Sequence, residues 1–349
     1  MRIGILTFHR AHNYGAMLQA YALKKTCEKL GADTSVIDYA PEYIDEQYNY
    51  FRFSGNSRRT LLNIYNLRGN FAKQKLFEAF KNDFMNLRPF NTNEKFDIIL
   101  YGSDQIWNPN IKNGFDKVYF GYHKIPVTQN VSYAASIGKS QFSKDELKQF
   151  SMISQKLDRI SVREETARDL LQPVVKKKIE VVLDPTLLLS ADEWTDIAME
   201  PNISGAYILV YQVNIISQTM KIAISLSKKL NIPIVEITYK KTKLHYKHRV
   251  LNNVGPREFI GLFKNASYII TSSFHGTAFS IIFRKNFYTV VHRAYGSRMQ
   301  DLLNKIGLAD RMVEKLPEKV CEIDYLHPVE MLNKECEKSL NFLIENMRE

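Results

Sequence analysis

Short runs of β-branched and aromatic residues alternate with longer stretches of helical periodicity along most of this chain, the pattern of a parallel sheet covered by helices. Residues 2–7 read as a strand, 17–30 as a helix closed by Gly31, and 34–39 as a second strand. Strands follow at 96–101, 131–134, 160–162 and 178–183, the last ended by Asp184 and Pro185, with helices at 143–157 and 164–171. Around residues 201–205 the chain becomes loop-like and a second alternation begins. Its strands fall at 207–213, 233–238, 268–271 and 287–291, and its helices at 217–230, 257–264 and 276–283. Residues 330–347 form a charged amphipathic helix. The expected fold is α/β, with two Rossmann-like lobes facing a cleft. Residues 1–200 make the first lobe, 201–325 the second, and 326–349 a terminal helix.

Ligands of open parallel sheets bind outside the carboxyl ends of the strands, where loops meet helix N-termini. The polar motifs fall at such ends: FHRAHNYG after the first strand, GSDQIWNP after residues 96–101, and SSFHG after residues 268–271. In the last of these, Ser272 and Ser273 are N-cap candidates, and His275 falls in the first turn of the following helix. Unpaired N–H groups and the positive end of the helix dipole suit a phosphate or carboxylate there, and a histidine can deliver a proton to it. A histidine tied to a backbone carbonyl in the core is the plainer alternative.

SSFHG, SVREETARDLL at residues 161–171, VLDPTLLL at 182–189 and the opening RIGILTFHRAHNYGAMLQAYAL occur in this order across nearly the whole chain. Together they resemble the polysaccharide pyruvyl transferase family. The resemblance implies a GT-B-like fold and transfer of the enolpyruvyl group of phosphoenolpyruvate to a sugar of a cell-surface polysaccharide precursor, forming a pyruvate ketal and releasing phosphate. By the same analogy the terminal helix is expected to cross back to the first lobe. Arg163 matches an arginine that the family uses for phosphoenolpyruvate, and a guanidinium suits either anionic group. An ion pair with Glu164 or Glu165 is its structural alternative. A further cation is expected after the next strand, at Arg293 or, by the YGSRMQDLL match, at Arg298. Many members read Arg-Leu-His where this chain has Ser273, Phe274 and His275, so one cation is missing; Arg298 or Lys285 is expected to replace it.

The second-lobe donor site is therefore expected to comprise Arg163, Ser272, Ser273, Gly276, Thr277 and Arg298, with His275 as general acid. The first lobe is expected to hold the acceptor, through Asn13, Tyr14, Gly15, Ser103, Gln105 and Asn108, with Trp107 as a stacking face. Asp104 is a base for the attacking hydroxyl or, alternatively, the cap of an Asx-turn. Phosphoenolpyruvate is a substrate, and no cofactor or metal is expected: there is no HExxH, CxxC or acidic cluster.

Composition narrows the classes. At 349 residues, 45% hydrophobic and 24% charged, the chain is long enough for two packed lobes. Cys27, Cys321 and Cys336 are widely separated, which fits a reducing cytosol, and no leader or membrane-spanning run is evident. A cytoplasmic location is expected. The net charge of +11 is concentrated at residues 49–90, where eight basic residues face two acidic ones among interleaved aromatics. Residues 71–84 read as an amphipathic helix with Phe77, Phe80 and Phe84 inward. For residues 49–68 a basic, aromatic contact with an anionic membrane surface at the inner face stays open beside a purely structural reading, and the sugar acceptor would then be lipid-linked. A GT-B-type glycosyltransferase using a nucleotide sugar is one competing function. No acidic residue between 266 and 300 is present to hold a ribose. A non-catalytic binder of acidic glycan or nucleic acid is the other. The basic residues lie away from SSFHG and no nucleic-acid motif is recognised, so no nucleic-acid partner is expected.

Overall fold

The computed structural model describes residues 1–44, 57–213, 215–238, 247–291 and 297–348, without the side chains of 57–68 and 70. The basic, aromatic residues 49–56, the side chains of 57–68 and Arg293 thus lie outside the described residues.

Two all-parallel sheets carry the fold. The first contains β1 (Arg2–Leu6), β2 (Asp33–Asp38), β3 (Leu87–Pro89), β4 (Phe96–Tyr101), β5 (Val127–Ala135), β6 (Arg159–Val162) and β7 (Ile179–Val181), in the order β3-β2-β1-β4-β5-β6-β7. The second contains β8 (Ile208–Tyr211), β9 (Ile234–Ile237), β10 (His248–Leu251), β11 (Tyr268–Thr271) and β12 (Asn286–Thr289), in the order β10-β9-β8-β11-β12. Both are doubly wound. Strand order reverses between β1 and β4 and between β8 and β11, which places a ligand crevice at the carboxyl ends of each pair.

Local chemistry explains the boundaries. Asn13 caps the first helix, Tyr14–Lys29, by accepting from the N–H groups of Gly15 and Ala16, so the helix starts three residues before the expected position. Ser143 and Ser190 each form a capping box, with Glu146 and Glu193 respectively, and so fix the starts of the helices Lys144–Ile153 and Ala191–Ile197. Two strands escape the sequence pattern because they lie at sheet edges. β3 contains Pro89, tolerated where no ladder N–H is needed, and β10 opens with His248 and Arg249. The helix expected at residues 71–84 begins earlier and runs over Ser57–Phe84.

One apolar cluster joins the two sheets. The Tyr14 ring stacks on Phe259 at 4.5 Å, its hydroxyl donates to the Val254 carbonyl at 2.9 Å, and Trp194 packs between Tyr21 and Phe279. The terminal helix, Leu326–Arg348, begins beside the second lobe, where the Tyr325 hydroxyl donates to the Lys285 carbonyl. It then crosses to the first lobe: Ser339 Oγ accepts from Leu183 N–H, and Phe342 meets Tyr133. No described helix is long and apolar enough to cross a membrane.

Candidate active site

The carboxyl ends of the first sheet and the start of the helix Phe274–Ile282 converge on one carboxylate, Asp184. It follows β7, is fully buried, and the Asp-Pro step that stops the strand turns its side chain into the space between the lobes. Four hydrogen bonds hold it. Oδ1 accepts from the N–H and hydroxyl of Thr186, while Oδ2 accepts from Arg163 Nη1 at 2.6 Å and from Ser103 Oγ at 3.0 Å. His275 Nε2 stands 3.5 Å from Oδ2, an ion-pair separation without an aligned hydrogen bond. Burial pushes this carboxyl up, but His275 and Arg163 more than reverse the effect and hold it well below the usual carboxylate range. Asp184 therefore stays ionised.

Arg163, at the end of β6, is clamped on three sides. Asp184 and Glu164 Oε1 accept from its Nη1 and Nε, and the guanidinium lies 4.4 Å from the Phe274 ring centre. Burial alone would push the guanidinium down, but Asp184 and Glu164 reverse this and hold it above its ordinary value. Glu164 also accepts from Ser136 Oγ at 2.6 Å. Among the described residues Arg163 Nη2 is buried without a partner, so one strong donor is left unused. The ion pair with Glu164 that is its structural alternative exists, and one N–H of Arg163 is left without a partner among the described residues.

The helix Phe274–Ile282 begins as the sequence predicts. Ser273 is its N-cap, accepting from Gly276 N–H, and His275 occupies its first turn. Gly276 allows the helix to lie against β11, since a Cβ there would be 2.2 Å from Thr271 Oγ1. Thr277 bonds the Ser273 carbonyl and Thr289 Oγ1, and Ser272 N–H donates to the Tyr211 carbonyl. Gly276 and Thr277 are thus occupied within the fold, which corrects their expected role as direct ligand donors. The His275 ring rests on Gly15 at the start of the first helix, where a Cβ would be 2.0 Å from Nδ1. Gly15, expected on the acceptor side, instead supports the imidazole.

A narrow crevice of about 10 Å³, the room of roughly one water, opens beside this cluster, lined by Arg163, Asp184, Phe274, Arg298, Asp301 and Lys305. Arg298, on the helix Ser297–Lys305, makes no hydrogen bond or ion pair among the described residues, and burial and Arg163 push its guanidinium down. Asp301 receives the Thr166 N–H and hydroxyl, and burial raises its carboxyl. Lys305 is shared between Glu165 and Glu335. Among the described lining residues the positive charge without a partner is therefore that of Arg298, while Arg163 contributes a spare N–H.

The expected acceptor residues of the first lobe are not assembled into a sugar site. Trp107 is sealed in the core, stacked on Phe120 at 5.2 Å with Nε1–H donating to the Tyr119 carbonyl, so it has no face to offer a sugar. The buried hydroxyl of Ser103 serves Asp184 and the Ala134 carbonyl. Tyr14 joins the lobes and Asn13 caps a helix. Asn108 caps the short helix Pro109–Lys112 and donates to Gln105 Oε1, and both side chains pack on Gly138. Asp104 stands apart. It is half-buried at φ +62°, its carbonyl accepts from Ser136 N–H, and its carboxylate acts electrostatically on both Arg163 and Arg298. Among the described residues no group of three or more His, Cys, Asp or Glu could hold a metal ion. Asp184 and Glu164 were not anticipated as site residues. The Asp-Pro step reads as a strand stop, and its position in the VLDPTLLL motif was the one available signal.

Two facing doubly wound sheets with a cluster at their strand ends define a GT-B-like protein. The fold is shared with a Listeria monocytogenes structure described as a UDP-N-acetylglucosamine 2-epimerase, at TM-score 0.50 and 12% identity over 97% of this chain and 88% of that one. The Methanocaldococcus jannaschii UDP-GlcNAc 2-epimerase in complex with UDP-GlcNAc and UDP gives TM-score 0.47 and 14% identity, covering 98% and 93% of the two chains. The E. coli heptosyltransferase WaaC with ADP gives 0.40 and 12%, covering 99% and 100%. No curated protein sequence matches. The sequence model of the family described as polysaccharide pyruvyl transferase matches residues 13–293, and the chain belongs to that family.

Proposed function

We propose that this transferase moves the enolpyruvyl group of phosphoenolpyruvate onto a sugar of a polysaccharide precursor. The observation that carries the reading is the placement of His275 beside a crevice in which, among the described residues, Arg163 has an unused buried N–H and Arg298 no hydrogen bond or ion pair. Two guanidinium groups with spare donors suit a small molecule bearing a phosphate and a carboxylate on neighbouring atoms. In its imidazolium form His275 gives a proton to the methylene carbon, turning it into a methyl group and leaving a cation at C2. A sugar hydroxyl adds at C2 and its proton passes to Asp104. The C2–O bond to phosphate then breaks, and phosphate departs toward the arginines with the bonding electrons and takes up the proton held by Asp104, leaving as hydrogen phosphate and returning Asp104 to its carboxylate form. A second hydroxyl adds to the renewed cation and loses its proton, which closes the ketal and restores the imidazolium. Asp184 stays charged throughout and holds Arg163 in place.

Arg298→Ala tests the donor without breaking an ion pair. Calorimetry should show phosphoenolpyruvate binding to the native protein and at least about tenfold weaker binding to the variant, the scale of one lost charged contact. Tight binding of a nucleotide sugar with none of phosphoenolpyruvate would favour the glycosyltransferase reading instead. The acceptor is proposed to be lipid-linked, on the strength of Arg52, Arg58, Arg59 and Arg68 interleaved with Tyr50, Phe51, Phe53 and Tyr65. Each basic residue near an anionic surface contributes about 1 kcal/mol. Salt-sensitive sedimentation with anionic vesicles, lost when the four arginines become Ser, supports this; equal sedimentation of both proteins, or of neither, contradicts it.

A further inference from the structure

The helix Tyr14–Lys29, whose Gly15 receives the His275 ring, carries a fully buried amide one turn further on. Gln19 stands at i+4 from Gly15, so the two share a face of the helix. Its amide is engaged in three directions. Nε2 donates to the Ala16 carbonyl at 2.9 Å and to Thr7 Oγ1 at 2.8 Å, while Oε1 accepts from Ser103 N–H at 3.0 Å. The Ala16 carbonyl can only accept and the Ser103 N–H can only donate, so neither a hydrocarbon nor an ionised carboxylate of this length serves both ends. Thr7 Oγ1, having accepted from Gln19, donates to the Ser103 carbonyl at 3.1 Å. Ser103 is thus gripped at its N–H by Gln19 and at its C=O by Thr7, and its hydroxyl is aimed at Asp184 Oδ2, 3.0 Å away.

Resting on the reading above, we infer that Gln19 is a positioning residue for the reaction. Through Ser103 it sets the place of Asp104, the proposed base, and of the hydroxyl that donates to Asp184, while Gly15 on the same helix face supports the imidazole. Asp104 follows Ser103 directly, and its carbonyl accepts from Ser136 N–H at 2.9 Å, so its carboxylate stands on backbone held from both sides. Proposed acid and proposed base come from different lobes, and one face of one helix supports both. Without the Gln19 amide the Ser103 N–H is buried unpaired, and the turn has to shift to satisfy it. The plainer role of a buried glutamine is to satisfy core backbone groups, which entails lost stability without a selective loss of turnover.

The test combines steady-state kinetics with phosphoenolpyruvate calorimetry on the native protein, Gln19→Met, Thr7→Val, Thr7→Ser, the double variant Gln19→Met with Thr7→Val, and Asn346→Leu as a control. Asn346 is a comparably buried amide whose donation stays within the terminal helix, to the Phe342 carbonyl. The inference expects kcat to fall by about 10- to 10²-fold in Gln19→Met and in Thr7→Val, with phosphoenolpyruvate affinity within about twofold of native. Thr7→Val carries the test if Gln19→Met does not fold. Thr7→Ser should recover most of the rate, and the double variant should lose little more than the worse single one, because both act through Ser103. Unchanged kcat in both single variants, an equal loss in Asn346→Leu, or full additivity overturns it. Exchange of the Ser103 amide, followed by NMR, separates this inference from the donor assignment. Faster exchange in Gln19→Met than in Asn346→Leu upholds the anchoring of Ser103 even where the native protein neither binds nor turns over phosphoenolpyruvate, and the donor reading alone then fails. Unchanged Ser103 exchange in Gln19→Met overturns the inference.

Discussion

His275 Nε2 stands 3.5 Å from Asp184 Oδ2, a contact that joins the first turn of a second-lobe helix to the end of the last strand of the first sheet. The proposed acid and the carboxylate beside it thus come from different lobes, and the site is complete only when the lobes are packed together. The same carboxylate holds Arg163 through a 2.6 Å hydrogen bond, so one buried charge lies against both His275 and Arg163.

Asp184→Asn should be costly. Removing one partner of a buried ion pair costs about 3–5 kcal/mol where the other charge is left uncompensated, and the Glu164 carboxylate that still faces Arg163 places the expected loss at or below the low end of that range. Because the folded carboxyl lies below its unfolded value of about 3.9, its contribution is fully present above that pH and is lost as pH falls below it. Thermal melts from pH 7 to pH 3 should show native stability dropping below about pH 4, with a flatter profile in Asp184→Asn. Parallel curves for the two proteins would mean that Asp184 is not depressed.

Gly15→Ala separates support of the imidazole from support of the fold. The added methyl would lie 2.0 Å from Nδ1, so the ring must move. Misplacement on that scale is expected to lower the rate by about 10²-fold while phosphoenolpyruvate binding is retained. Unchanged turnover would show that the ring position is not limiting.

Trp107 distinguishes core from binding surface. Trp107→Ala should destabilise by about 3–5 kcal/mol as a large buried aromatic is lost. The milder Trp107→Phe should leave the acceptor KM unchanged. A raised acceptor KM at normal stability would restore the stacking role that the structure withholds from it.

These residues also mark how far the sequence can be read. Strands at 96–101 and 268–271, the helix Ser217–Leu230, and His275 in the first turn of its helix are legible because their apolar runs and caps are local. The role of Asp184 is not, since Arg163 and Ser103 lie 21 and 81 residues away and the local signal is an Asp-Pro stop. Trp107 misleads in the opposite direction. Its neighbours Asp104, Gln105 and Asn108 are polar, but Phe120 and Phe150 arrive from later in the chain and enclose it. Edge strands such as β10 carry charged residues and lack the apolar run that marks a buried strand.

The most direct measurement of the central claim is phosphate release from phosphoenolpyruvate with a panel of galactose- and mannosamine-type acceptors, comparing the native protein with His275→Gln. The account predicts acceptor-dependent release by the native protein, a ketal-bearing product by mass spectrometry, and a loss of at least about 10²-fold in the variant at unchanged fold, the usual scale for a missing general acid. Near-normal release by His275→Gln would contradict the account.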